Sequence, residues 1–263
     1  MDGDIKHPEQ SGRSTLEAAS LAAVRKGLFV SDLHLFSPRS VGEKVVTQFS
    51  TLSQDCDCLV LGGDIFDFRW SDHGSHLATL DAARRWLLDL LHVTGEIPIV
   101  FLPGNHDSHP EFLAMLDALA AGEPRLTWAA HHLQIADCLF LHGDLLDAGS
   151  VSRLEAYRSK FHHESPQSRL AHRSYDLAVS MRIHKLIPRL RHKPLQTCQR
   201  LLDAMPELWL PSTVPVQQIY FGHTHVAIHG LEVNGIKFFN PGAALRHMDT
   251  HIHPFAVTCL DPN

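Results

Sequence analysis

The chain has 263 residues, 44 % of them hydrophobic, and a formal net charge of −6. That is enough apolar material for one large domain or two small ones, the acidic balance argues against general nucleic-acid affinity, and nothing approaches the ~18 consecutive apolar residues of a membrane-spanning helix. The five cysteines (Cys56, Cys58, Cys138, Cys198 and Cys259) are odd in number and form no Cys-x-x-Cys pair, which argues against a thiolate zinc site or a disulfide framework.

Residues 1–26 read as a polar tail ending in a short helix, with Ser14-Thr15-Leu16-Glu17 at capping-box spacing. The first residues lack the apolar stretch of a signal peptide, so a cytoplasmic location is expected. From Gly27 to residue 263 the pattern is that of one α/β domain. Leu28-Phe29-Val30 is an apolar strand running into Ser31-Asp32-Leu33-His34, and a helix is expected near 41–54. Cys58-Leu59-Val60-Leu61 runs into Gly62-Gly63-Asp64, with Asp67 three residues on, and a helix follows over 74–93. The apolar run 97–102 ends in Pro-Gly and presents Asn105, His106 and Asp107 before a helix over 110–121. The pattern then changes. Residues 131–142 read as paired short strands, the second running into His142-Gly143-Asp144. Several more strands are expected over 216–260: Ile219-Tyr220-Phe221 leads into Gly222-His223-Thr224-His225, and Asn234-Gly235 is a hairpin signal. Strand–helix units followed by antiparallel strands predict two stacked sheets with outer helices.

Between the two halves, roughly 150–211 shows no strand signal. Positions 151–211 hold eleven Lys and Arg against five Asp and Glu, a net of +6, while the rest of the chain carries −12. A basic segment inside an acidic protein points to a local anionic partner. Over 168–190, Tyr175, Val179, Ile183, Leu186 and Leu190 form one apolar stripe at helical spacing, and Leu170, Leu177 and Met181 a second, roughly opposite. An ordinary half-covered helix accounts for this pattern. So does a helical lid that touches an apolar ligand while Arg169, Arg173 and Arg182 meet phosphate or lipid headgroups.

Five apolar strands thus end in Asp, His or Asn, at the end where open α/β sheets bind ligands. Asp32, His34, Asp64, Asn105, His142, His223 and His225 are hard or borderline metal ligands without a thiolate, a set that suits Mn²⁺, Fe or Zn²⁺. They are too many for one catalytic zinc with three protein ligands and fit two divalent ions bridged by one carboxylate. Asp64 is the candidate bridge, because a carboxylate has two oxygens and the glycine pair before it allows close backbone approach. Two ions ~3.5–4 Å apart can deprotonate a shared water and clamp the attacking and leaving oxygens of a phosphoryl transfer. His106, one residue beyond a ligand, is the candidate catalytic group that neutralises phosphoryl oxygens and protonates the leaving group. Asp107, taken as catalytic with it, or Asp67 could orient a histidine from behind. Sixteen of the 21 histidines lie outside these motifs and read as surface or packing residues.

In order, D-x-H (Asp32, His34), G-G-D (Asp64), G-N-H-D (Asn105, His106), H-G-D (His142) and G-H-T-H (His223, His225) resemble the calcineurin-like metallophosphoesterase superfamily over about 27–243, including Asn240-Pro241-Gly242. The resemblance implies a four-layer αββα sandwich and a hydrolase. It implies one ion held by Asp32, His34, Asp64 and His225 and another by Asp64, Asn105, His142 and His223. Ser31-Asp32-Leu33-His34-Leu35, Gly63-Asp64-Ile65-Phe66-Asp67 and a helical insertion beginning Leu154-Glu155-Ala156-Tyr157-Arg158 look like the UDP-2,3-diacylglucosamine pyrophosphatases of lipid A synthesis. Membership there would imply hydrolysis of a lipid pyrophosphate to UMP and a lipid monophosphate, with Mn²⁺, at the inner membrane face. It would make Arg158, Arg169, Arg173 and Arg182 substrate contacts under a lid over about 150–211, and give that lid peripheral membrane contact. Two features depart from that subfamily: His106, where Arg is common, and the run Leu145-Leu146-Asp147-Ala148-Gly149-Ser150. They leave open another small or nucleotide phosphodiester or phosphomonoester as substrate, or a non-catalytic scaffold, although a scaffold should have lost ligands or His106. No nucleic-acid or obligate protein partner is expected.

Overall fold

The computed structural model describes residues 23–162, 183–208 and 214–258, together with positions 21, 174, 176 and 179. Strands β1 (Lys26–Val30), β2 (Cys58–Leu61), β3 (Ile99–Phe101) and β4 (Leu126–Trp128) run parallel, and β10 (His253–Ala256) joins β1 antiparallel to complete a sheet of order β10-β1-β2-β3-β4. The second sheet contains β5 (His132–Ile135), β6 (Cys138–Leu141), β7 (Gln218–Phe221), β8 (Ile228–Val233) and β9 (Ile236–Asn240) in the order β5-β6-β7-β9-β8. Its inner strands β6, β7 and β9 are parallel, while β5 and β8 pair antiparallel at the edges. Asn234 and Gly235 close the β8–β9 hairpin with φ of 51° and 79°, the two positive values a type I′ turn needs.

Alternation along the strands builds the layers. In β1, Phe29 points into the space between the sheets, where it joins Val60, Val100, Phe140, Tyr220 and Phe255 in one buried cluster. Its neighbours Leu28 and Val30 point the other way. There they meet Leu87, Leu90 and Leu91 of α3 (His76–Val93) and Phe112, Leu116 and Leu119 of α4 (Pro110–Gly122). The second sheet does the same: Leu139, Leu141, Ile219 and Phe221 pack on Leu145 and Leu146 of α5 (Leu145–Ala148) and on Cys198 and Leu201 of α8 (Pro194–Ala204). The result is the α/β sandwich in four layers, and strands covered on both faces read as unbroken apolar runs.

Local chemistry sets the helix limits. Ser75 caps α3 by accepting the Ala78 N–H at 3.1 Å, and Pro110 opens α4 where no N–H is required. The single helix expected near 41–54 is instead two short helices, α1 (Glu43–Val46) and α2 (Phe49–Leu52), and a 3₁₀ turn, Ser53–Asp55. At the break, Thr47 Oγ1 and Gln48 Nε2 both donate to the Lys44 carbonyl, offering the backbone an alternative to the helical ladder. Between the strands of the second sheet lie α5, α6 (Leu154–Arg158), α7 (Ile183–Arg191) and α8, with no strand among the described residues of this stretch. Of the expected apolar stripe, Val179 is buried but Leu190 is 75 % exposed, so the stripe does not stay on one covered face. The tail helix expected before residue 26 falls almost wholly outside the described residues. Among those residues no helix is long and apolar enough to cross a membrane.

Candidate metal centre

Five parallel strands aim their carboxyl ends at one place. Asp32 and His34 follow β1, Asp64 follows β2, Asn105 and His106 follow β3, His142 follows β6, and His223 and His225 follow β7. Asp32, His34, Asp64, His223 and His225 all have positive φ, between 46° and 65°, a conformation that costs a non-glycine residue energy and persists only where its surroundings fix it. The fixing bonds are backbone ones: Asp32 N–H to Gly63 O and His34 N–H to Asp64 O, each 2.9 Å, lock the first two loops together. Gly222 N–H to His142 O at 2.8 Å does the same across the second sheet. Gly104 is required by crowding, since a Cβ there would overlap the Asp64 carboxylate and the His142 ring.

Two groups of donors result. Asp32, His34, Asp64 and His225 place one ligand atom each within 4.8 Å of one another, and so do Asp64, His142 and His223. Asp64 belongs to both. His34 Nε2 faces His225 Nε2 at 3.1 Å, and His223 Nδ1 faces Asn105 Oδ1 at 3.0 Å. The donor chemistry fits divalent cations. His142 Nδ1 bonds the Gly62 carbonyl at 2.9 Å, which makes it the donor and leaves Nε2 as the atom that would face a cation once its proton is displaced. That Nε2 is buried without a hydrogen-bond partner, 3.5 Å from Asp64 Oδ2. Burial opposes charge on Asp64, yet His142, His106 and His34 hold its carboxyl well below the usual range. Burial also opposes the His142 imidazolium, yet Asp64, with Asp144 and Asp32, pushes that pKa up to about 10. Buried carboxylates therefore draw positive charge into this site, and bound cations would satisfy the same field.

His106 sits beside the first group rather than in the second. Its Nδ1 is 2.9 Å from Asp67 Oδ1, and its ring stands edge-on to His34 with centroids 5.0 Å apart. Against the effect of burial, Asp67 and Asp64 raise its pKa to about 9. Asp67 also lies 3.4 Å from His34 Nδ1, so one carboxylate orients two histidines. Asp107, expected to be catalytic, does something else. It is fully buried, and its oxygens accept the backbone N–H groups of Gly104 (2.7 Å), Ile65 (2.8 Å), Asp64 (3.2 Å) and Phe66 (3.3 Å). It ties the loop after β3 to the loop after β2, and every one of these bonds is to backbone, which a short-range reading of Asn105-His106-Asp107 does not reveal.

Arg158, expected to bind substrate, is turned into the protein instead. It is 2 % exposed, and its guanidinium is spent on Asp144 (Nε to Oδ2, 2.7 Å) and on the carbonyls of Ala130 (2.7 Å) and Pro103 (2.8 Å). It pins the loop after β6 to the loop after β3. Arg169, Arg173 and Arg182 lie outside the described residues.

Three side chains that the motif reading passed over also belong here. A cavity of about 230 Å³ opens beside the first group, lined by His34, Asp67, Arg69, Trp70, His106 and His225 among others. Arg69 Nε is buried there without a hydrogen-bond partner, and its guanidinium lies 5.7 Å from the Trp70 ring. Arg69 and Trp70 directly follow Asp67 in sequence, which is the only local signal for them. Asp147, from the run that departs from the pyrophosphatase pattern, has Oδ2 3.1 Å from His223 Nε2 and Oδ1 2.9 Å from the Arg191 guanidinium. His223 thus has Nδ1 toward Asn105 and Nε2 fixed by a carboxylate, the carboxylate–histidine arrangement that commonly backs a metal ligand.

Two donor groups sharing one carboxylate, at the joined strand ends of an αββα sandwich, define a metal-dependent hydrolase. The chain belongs to the calcineurin-like phosphoesterase family, whose model matches residues 26–227. It is therefore a metal-dependent phosphoesterase, and the clustered donors are where its divalent ions would bind. No curated protein matches the chain.

Proposed function

We propose that this phosphoesterase hydrolyses the pyrophosphate of a lipid-linked nucleotide of the UDP-diacylglucosamine type, with two Mn²⁺ ions as its metal complement. The observation that carries the lipid reading lies on α7 and α8. Ile187, Leu190 and Leu195 are 58 %, 75 % and 61 % exposed, beside the exposed Arg189, Arg191 and Lys193. Apolar side chains flanked by cations suit acyl chains next to a phosphorylated headgroup. Arg191 reaches Asp147, so this surface adjoins the metal centre. The same surface serves as the lid over about 150–211 and as a peripheral membrane contact.

Asp32, His34, Asp64 and His225 would hold one ion, and Asp64, Asn105, His142 and His223 the other. When bound, they supply Lewis acidity at the phosphoryl oxygens and lower the pKa of the attacking water. The chain's own groups do the rest. Asp67 holds His106 through Nδ1, which leaves Nε2 to donate a proton; with a pKa near 9 the ring is an imidazolium at neutral pH and can protonate the leaving oxygen. Arg69 offers an unspent N–H to a phosphate oxygen. Trp70 offers a ring face to a base or sugar.

A second reading is a small phosphodiester, favoured by the cavity of about 230 Å³ beside the first donor group, a size that suits a phosphate ester. The test is UMP release from UDP-2,3-diacylglucosamine by the Mn²⁺-loaded protein, with bis-p-nitrophenyl phosphate alongside and with Fe- and Zn²⁺-loaded samples. Rapid UMP release is expected. Turnover of the chromogenic diester alone discards the lipid substrate and keeps the phosphoesterase.

A further inference from the structure

A second cluster of metal-type side chains lies away from the strand ends. His76 is the first residue of α3, His109 is the N-cap of α4, and Glu111 stands in the first turn of α4. Each places one ligand atom within 4.8 Å of the others, the same proximity that marks the two donor groups of the phosphoesterase centre. We infer that His76, His109 and Glu111 form an additional site for a divalent transition-metal ion of the Zn²⁺ class, which clamps the starts of α3 and α4 together.

The contacts between these residues resemble an incomplete coordination shell more than an ion pair. His76 Nε2 is 2.9 Å from Glu111 Oε2, yet it is buried and the two are not aligned as a hydrogen bond; His76 Nδ1 is buried and unpartnered as well. His142 Nε2 in the centre shows the same combination, a nearby carboxylate oxygen and no hydrogen bond. The His76 and His109 ring centroids lie 4.0 Å apart, and His162, itself bonded to Ser108 Oγ at 3.1 Å, has its ring centroid 5.3 Å from that of His109. Burial first, then His76 and His162, lower the His109 pKa to about 4, so this ring is neutral and able to ligate at neutral pH.

Two effects oppose a cation at this cluster. Helix starts carry partial positive charge and disfavour a lone cation, but Glu111 brings a full negative charge into this shell. His109 also serves as a cap, with its Nδ1 accepting the Glu111 N–H, but at 3.4 Å that bond is long and its loss costs little. Two imidazoles and one carboxylate are a known zinc set, and bonds of ~2.0–2.1 Å require only modest closing of the donors.

The experiment uses the full chain, stripped with chelator, saturated with Zn²⁺, passed through gel filtration and assayed for bound metal per chain. Glu111→Gln and His76→Gln are run beside the wild type, with circular dichroism to confirm folding and bis-p-nitrophenyl phosphate to report on the catalytic centre. The expected result is one fewer Zn²⁺ in each variant with diesterase activity unchanged, and a smaller rise of Tm on adding Zn²⁺ than the wild type shows. Asp64→Asn should retain the ion at this cluster. Equal metal content in wild type and both variants overturns the site. So does a variant that loses metal and activity together, because the missing ion then came from the catalytic centre.

Discussion

The two sheets contribute unlike halves to the metal centre. The first supplies both carboxylates and the amide, Asp32, Asp64 and Asn105, together with His34; the second supplies imidazoles alone, His142, His223 and His225. The carboxylates of the first sheet accept hydrogen bonds directly: Asp32 from the Ser31 hydroxyl at 2.6 Å and the His223 N–H at 3.0 Å, and Asp64 from the His106 N–H at 2.8 Å. The imidazoles of the second sheet depend on distant partners. His142 leans on the carbonyl of Gly62 in the loop after β2, and His223 on Asp147 of α5. One half carries the charge, and the other must be oriented by something else. Perturbing the first half should therefore cost more than perturbing the supports of the second.

The largest effect is expected at the carboxylate common to both groups. Asp64→Asn should depress diester turnover by more than the ~10²–10⁴-fold attributable to a lost acid–base group, and metal analysis should show ions lost as well. Retention of both ions would mean that Asp64 is not shared. Next comes His106→Ala, expected to lower turnover by ~10²–10⁴-fold with metal content retained. Metal lost in parallel with activity would instead place His106 in the coordination shell, alongside His34 and Asp67, which also form a close donor group with it.

The same contrast governs what could be read from the sequence. The strand-end donors were legible because strand and ligand are adjacent: apolar Leu28-Phe29-Val30 leads straight into Asp32 and His34. The Asn234-Gly235 turn was legible for the same reason. Supports of the second half were not. Asp147 meets His223 across 76 positions, and Arg158 meets Pro103 across 55, so neither contact leaves a local pattern. Arg158 looked like a substrate cation because charge is visible in sequence and burial is not. Asp107 looked catalytic because it follows His106, whereas four backbone N–H groups from two loops converge on it. The choice between Asp67 and Asp107 as the residue behind a histidine falls to Asp67, through a contact spanning 39 positions.

Smaller effects probe the second half. Asp147→Ala should weaken the ion held by His223 by ~10–100-fold, the usual cost of removing a carboxylate behind a metal-bound imidazole, while the ion at Asp32, His34 and His225 stays. Metal titration followed by calorimetry separates the two sites; equal weakening of both would show that Asp147 acts on the fold rather than on His223. Arg191→Ala is the smallest. Arg191 is 2.9 Å from Asp147 Oδ1, but its side chain is 61 % exposed, and an exposed pair is worth at most about 1 kcal/mol, roughly fivefold. Burial alone would raise the Asp147 pKa, yet His223 and then Arg191 bring it down to about 2, so the carboxylate stays ionised at neutral pH with His223 as its principal partner. Metal affinity within about fivefold of wild type in Arg191→Ala would show that Asp147 orients His223 unaided. A loss matching that of Asp147→Ala would make α7 part of the support, and the seating of that helix would then control the second half of the centre.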